Sequence, residues 1–175
     1  VYVCYYDSVS YVWLNALFAG GTGTAFLPEA IMTRGMLVTV LWRVAGSPVV
    51  NYAMRFADVP ADAYYTEAVR WAAASGVVTG YSGERFGPND PVTREQLAAI
   101  LCRYAAFKGL DVSGAASVAE FSDGASVAPY AQAAMAWAVD AGLIKGSGGS
   151  LLPRGGATRA QTAAVLQRFC QNLAK

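Results

Sequence analysis

The sequence predicts an all-α fold made of three helix–loop–helix repeats. Three observations carry this. The pair Thr-Arg occurs as Thr33-Arg34, Thr93-Arg94 and Thr158-Arg159, at spacings of 60 and 65 residues. Each pair follows a proline five residues earlier (Pro28, Pro88, Pro153), itself preceded at two residues by Phe26, Phe86 or Leu151. No segment shows the sustained apolar–polar alternation of a half-buried strand.

The elements follow in order within each unit. An aromatic recurs as Tyr11, Trp71 and Trp137, and further on come Leu17-Phe18-Ala19-Gly20, Val77-Val78-Thr79-Gly80 and Leu143-Ile144-Lys145-Gly146. In the second unit Ala68, Trp71, Ala72 and Ser75 share one helical face, and Gly76 is placed to end that helix. The loop 80–88 cannot continue a helix; Phe86 and Pro88 pin it to the core, and Gly80 and Gly83 supply tight turns. A second helix begins at Thr93 and carries Leu97, Ile100, Leu101 and Tyr104 at core-facing spacing. Leu37, Val40, Leu41 and Val44 repeat that face in the first unit, as do Val165, Leu166 and Phe169 in the third. One helix pair of this size cannot bury its own face, so the units pack together as one domain. The boundaries are 1–50, 51–113 and 114–175. The second and third units open alike (Phe56-Ala57-Asp58, Phe121-Ser122-Asp123), whereas the first lacks this opening and reads as truncated.

Composition excludes several function classes. The 175 residues carry 13 Lys+Arg against 12 Asp+Glu, without the basic stripe of a nucleic-acid binder. No apolar run approaches the ~18 residues of a membrane span. There is no histidine, which removes the commonest general base and metal ligand. The three cysteines, Cys4, Cys102 and Cys170, are far apart and form no ligand motif; Cys102 and Cys170 read as buried thiols. No acidic pair recurs as a glycosidase would need, so no enzyme and no cofactor are expected. Residues 1–6 do not read as a signal peptide, and the chain is expected to be part of a larger exported protein.

Threonine suits the N-cap of each second helix, and Thr93…Gln96 and Thr158…Gln161 fit capping boxes where Thr33…Met36 does not. The arginines need another account. A cation in the first helical turn opposes the macrodipole, and three of them suggest a compensating anion. A helix N-terminus with a guanidinium fork matches carboxylate or phosphate. The alternative is a pair with an acidic neighbour such as Asp58, Asp123 or Glu67.

These units resemble the S-layer homology motif. The shared pattern is Phe-x-Asp, a helix containing Trp, Gly-Val/Leu-x-x-Gly, a Gly-rich loop with Phe-x-Pro, and Thr-Arg. The second unit is nearest the pattern, and the first is degenerate but in register. The resemblance implies a pseudo-threefold assembly whose inter-prong grooves bind an anionic secondary cell-wall polysaccharide, often bearing pyruvate ketals, outside a bacterial cell. It implies that Arg34, Arg94 and Arg159 contact the acidic sugar; beside them, Tyr81 on its exposed loop is a candidate to touch ligand, and Thr33, Thr93, Thr158, Gly80 and Gly146 complete the candidate site. The chain departs from the family's Thr-Arg-Ala-Glu: it has Thr-Arg-Gly-Met, Thr-Arg-Glu-Gln and Thr-Arg-Ala-Gln. The loop 146–150 also lacks a counterpart of Tyr81.

Trp71 and Trp137 could stack on a sugar, but their spacing favours the core. Trp13 and Trp42 read as packing residues, Asp58 and Asp123 as turn-fixing, and Lys145 as solvated. The function expected is a non-catalytic anchor fused to a larger surface protein. The alternative is a protein–protein or surface-lattice module.

Overall fold

Each Thr-Arg pair starts a helix because threonine, in extended backbone, turns its hydroxyl to the first free N–H groups. Thr33 Oγ1 accepts from Met36 N at 3.3 Å, while Thr93 and Thr158 form reciprocal capping boxes with Gln96 and Gln161. The computed structural model describes residues 5–18, 26–114 and 116–173; Cys4, Ala19 and Gly20 lie outside them. The described helices are α1 (Tyr6–Leu14), α2 (Arg34–Val44), α3 (Thr66–Ala74), α4 (Arg94–Phe107), α5 (Gln132–Asp140) and α6 (Arg159–Asn172), with three short 3-10 turns between α4 and α5. Among the described residues β pairing is confined to isolated bridges, so the fold is all-α as expected. No helix is long and apolar enough to cross a membrane among them.

The helix faces read from the sequence are the buried ones. Leu97, Ile100, Leu101 and Tyr104 of α4 are buried, as are Leu37, Val40 and Leu41 of α2 and Val165, Leu166 and Phe169 of α6, while Val44 at the end of α2 is only partly buried. Trp71 and Trp137 lie in the core and do not face a groove. Trp13 departs from expectation. It is half exposed on the outer side of α1, beside Leu14. Cys102 and Cys170 are only partly buried, at the margin of the core.

The most extensive helix packing runs between units, although Trp71 of α3 also meets Tyr104 and Phe107 of α4 within the second unit. The second helix of each unit packs on the first helix of the next: α2 on α3, α4 on α5, and α6 back on α1. Between these pairs lies a closed circuit of backbone hydrogen bonds. Val92 N donates to Met32 O (2.9 Å), Met32 N to Ala157 O (2.9 Å), and Ala157 N to Val92 O (2.8 Å). Every unit therefore donates to one neighbour and accepts from the other, which gives the assembly its pseudo-threefold form. Met32, Val92 and Ala157 are fully buried there, where unpaired amides would be destabilising.

The loops are held by acids and glycines. Asp58 accepts from Phe86 N (2.9 Å) and Gly87 N (2.7 Å), one on each carboxylate oxygen. Asp123 does the same for Leu151 N and Leu152 N, at 2.7 and 2.8 Å. Gly80 has φ +80, and a Cβ there would fall 2.7 Å from the Phe56 ring. Gly146 repeats this against Phe121. Gly83 lies in the reversal closed by Tyr81 N donating to Arg85 O at 2.9 Å, but it has no positive φ and open space around it, so that turn does not require glycine.

Candidate functional site

The first-turn N–H groups of the three helices are already occupied, which differs from the expectation that they stand open to an anion. Arg34 N donates to Asp90 O and Gly35 N to Pro88 O. Arg94 N and Glu95 N donate to Gly155 O and Pro153 O, and Arg159 N and Ala160 N to Ala30 O and Pro28 O. Each helix end is thus plugged into the proline loop of the next unit, cyclically. The sequence hides this because the acceptors are backbone carbonyls, which carry no residue signature.

The arginine side chains follow the same path. Arg34 Nε donates to Phe86 O (2.9 Å), Arg94 Nε to Leu151 O (2.6 Å) and Arg159 Nε to Phe26 O (2.7 Å). Arg34 and Arg159 are each 6% exposed, while Arg94 is half-buried. Burial lowers the pKa of all three, opposed by Tyr81, Asp90 and Asp58 at Arg34, by Tyr5 and Asp123 at Arg94, and by Tyr64 at Arg159. Arginine stays charged through such shifts. At Arg34 and Arg94 the carboxylate pairing weighed for them is not formed among the described residues. The ion pairs among the described residues are Arg70–Glu67 and Arg85–Asp90, and Asp58 and Asp123 are engaged with loop amides.

At the first arginine the surroundings form a groove of about 230 Å³. Arg34 lies at its edge with its guanidinium carbon 4.4 Å from the centre of the Tyr81 ring and 5.0 Å from that of Phe86. α4 contributes Gln96 and Arg103, and the third unit contributes Tyr130. All three units therefore meet in one groove. Tyr130 is held by its hydroxyl, which donates to Glu95 Oε1 at 3.1 Å; burial and then Glu95 push the phenol up to about 12. Glu95 Oε2 also accepts from Ala128 N at 3.0 Å, bracing the start of the third unit's helical segment.

The other two arginines have comparable neighbours. Tyr5, from the first unit, acts on Arg94, and Tyr64, from the second, lies within reach of Arg159 and Arg43. Arg159 also stacks near Phe18 and Phe26, with its guanidinium carbon 5.2 and 4.8 Å from their ring centres.

The structure thus brings Thr33 to the base of the Arg34 helix, Thr93 beside Tyr130, and Tyr81 onto Arg34. Gly80 and Gly146 shape their loops behind the rings of Phe56 and Phe121. Lys145 is exposed. Sequence reading missed Glu95, Arg103, Tyr64 and Tyr130. The signal that could have found Arg103 was present, since Arg43, Arg103 and Arg168 each follow a motif threonine by ten residues.

A cyclic trio of helical units, each with its second helix seated in the proline loop of the next, defines a module assembled from tandem repeats. The S-layer homology domain matches residues 55–98 and 120–163, about half the chain and the cores of the second and third units. The chain belongs to the S-layer homology domain family. It is similar to a surface-layer 125 kDa protein of Lysinibacillus sphaericus, 33% identical over 124 residues, covering 69% of this chain and 10% of that protein. It also resembles an amylopullulanase of Thermoanaerobacterium thermosulfurigenes (29% over 163 residues, 91% of this chain, 9% of the relative). A third relative is exoglucanase XynX of Acetivibrio thermocellus, at 30% over 165 residues, 91% of this chain and 15% of the relative. The chain spans less than a fifth of the length of each. The shared module occurs in surface-layer proteins and in enzymes with different names, so it is not tied to one reaction. The S-layer homology domain is a non-catalytic module that anchors bacterial proteins at the cell wall.

Proposed function

We propose that this chain anchors a larger surface protein to the bacterial cell wall by binding an anionic secondary polysaccharide, with ketal-linked pyruvate as the acidic group. The site is the set of grooves at Arg34, Arg94 and Arg159, shaped by Thr33, Thr93, Thr158, Tyr81, Gly80 and Gly146. The observation that carries the reading is the state of Arg34. Its Nε is fixed on Phe86 O, its face is covered by Tyr81, and its terminal nitrogens make no hydrogen bond or ion pair among the described residues. A largely buried guanidinium in that state is a preorganised receptor for a carboxylate, because its orientation is set before the ligand arrives.

The inter-unit role of the arginines favours a second reading, in which they serve only as braces and the module assembles surface lattices through protein contacts. Calorimetric titration separates the two. The folded chain is titrated with wall polysaccharide before and after mild acid removal of pyruvate, and Arg34→Ala is titrated in parallel. Binding that needs the pyruvate and falls in the folded variant supports the anchor. No binding to either glycan overturns it and leaves the lattice reading.

A further inference from the structure

The surroundings of the three motif arginines are built from equivalent parts, but they are not equivalent. Arg43, Arg103 and Arg168 occupy the same position on α2, α4 and α6. Arg43 Nη1 donates to Leu17 O at 3.1 Å and Arg168 Nη1 to Leu143 O at 2.9 Å, each tying a second helix to the end of its own unit's first helical segment. The equivalent acceptor for Arg103 is the carbonyl of Val77, and Arg103 does not use it. Arg103 is exposed, makes no hydrogen bond or ion pair among the described residues, and lines the groove of Arg34. The two guanidiniums are close enough that Arg103 helps lower the pKa of Arg34. An arrangement of unpaired like charges is unfavourable without an anion to share.

A second asymmetry falls on the same groove. Leu27 and Leu152 hold left-handed backbone in the proline loops of the first and third units, with φ of 52 and 53. The second unit has Gly87 there, and a Cβ on it would meet the Tyr81 ring at 2.6 Å. Glycine thus makes the room in which Tyr81 lies over Arg34.

We infer that Arg103 is a second cation for the ligand, acting with Arg34 on one acidic group, and that this groove is the module's principal site. The inference rests on the anchoring function proposed above and deepens it. A carboxylate or phosphate has two or more oxygens, so the two guanidiniums can each take one while Tyr81 and Tyr130 flank the sugar. The groove is below the ~300 Å³ of drug-sized pockets and suits a single acidic sugar residue.

The test compares Arg103→Ala with Arg43→Ala and Arg168→Ala, measuring thermal midpoint and calorimetric affinity for pyruvylated wall polysaccharide. Arg103→Ala is expected to keep the wild-type midpoint and to weaken binding about tenfold or more, the usual loss for a charged hydrogen bond. Arg103→Lys should recover part of it. Arg43→Ala and Arg168→Ala are expected to lower the midpoint and to leave affinity near wild type at a temperature where they are folded. Competition by free pyruvate and by inorganic phosphate distinguishes the two acid chemistries. Wild-type affinity in Arg103→Ala, or three equal sites per chain, overturns the inference while the anchoring function stands. Failure of the wild-type chain to bind removes both.

Discussion

Arg34 in the first unit and Phe86 in the second are joined twice. The guanidinium Nε donates to the Phe86 carbonyl at 2.9 Å, and its carbon lies 5.0 Å from the centre of the same residue's ring. Lysine keeps the charge but has no Nε and no flat face. Arg34→Lys is therefore expected to lose about 1–2 kcal/mol of stability, seen as a lower urea midpoint at unchanged m. It should also weaken polysaccharide binding, although net charge is the same.

Asp58 ties two successive amides of the proline loop, on which the first unit's helix end depends. Asp58→Ala leaves Phe86 N and Gly87 N without that acceptor. The expected loss is about 2–3 kcal/mol, measured by chemical denaturation. Asp58→Asn, which retains one acceptor oxygen, should fall between the two.

Two loop glycines separate backbone need from composition. Gly80→Ala places a methyl against Phe56 at φ +80 and is expected to cost more than about 1 kcal/mol. Gly83→Ala meets open space and is expected to change stability by less than about 0.5 kcal/mol. Comparable losses at both positions would contradict the loop geometry.

Glu95 is a buried carboxylate that accepts from Ala128 N and the Tyr130 hydroxyl. Its removal in Glu95→Ala unties the third unit's entry from α4 and frees Tyr130. A loss of about 1–3 kcal/mol is expected, with the change in Tyr130 environment followed by the chemical shift of its ring.

The Asp123 carboxyl is held below its ordinary value chiefly by the amide of Leu151, with Leu152 adding to the effect. A depressed folded pKa contributes stability that is present above the unfolded value and disappears as pH falls through the folded one. Asp123→Asn is therefore expected to flatten the acid limb of the thermal midpoint as pH falls below the ordinary aspartate value of about 4. An unchanged limb would mean that these amide contacts do not hold in solution.

Much of the fold was legible because its signals are local. Thr93 and Gln96 lie within one helical turn, and the apolar stripe from Leu97 to Tyr104 names a buried face directly. A stripe does not name its partner, however. Nothing in Leu37 or Leu41 indicates that α2 packs on α3 of the next unit. The candidate site was legible in its arginines, since a cation in a first helical turn asks for an explanation. Their backbone acceptors were not, because a carbonyl is common to every residue. Glu95 escaped notice for the opposite reason: an acid in a first turn is ordinary on a helix surface, and only the approach of Tyr130 makes it a brace.

The circuit of Met32, Val92 and Ala157 makes cyclic order, rather than the place where the chain starts, the quantity that packing conserves. A circular permutant opened between the first and second units, with the original ends joined by a linker long enough to reach, would retain every inter-unit hydrogen bond described here. Excision of any unit would instead leave one helix end without its loop and one loop without its helix. The remaining pair would present complementary broken faces, and the neighbour best shaped to fill them is the missing unit carried by another copy.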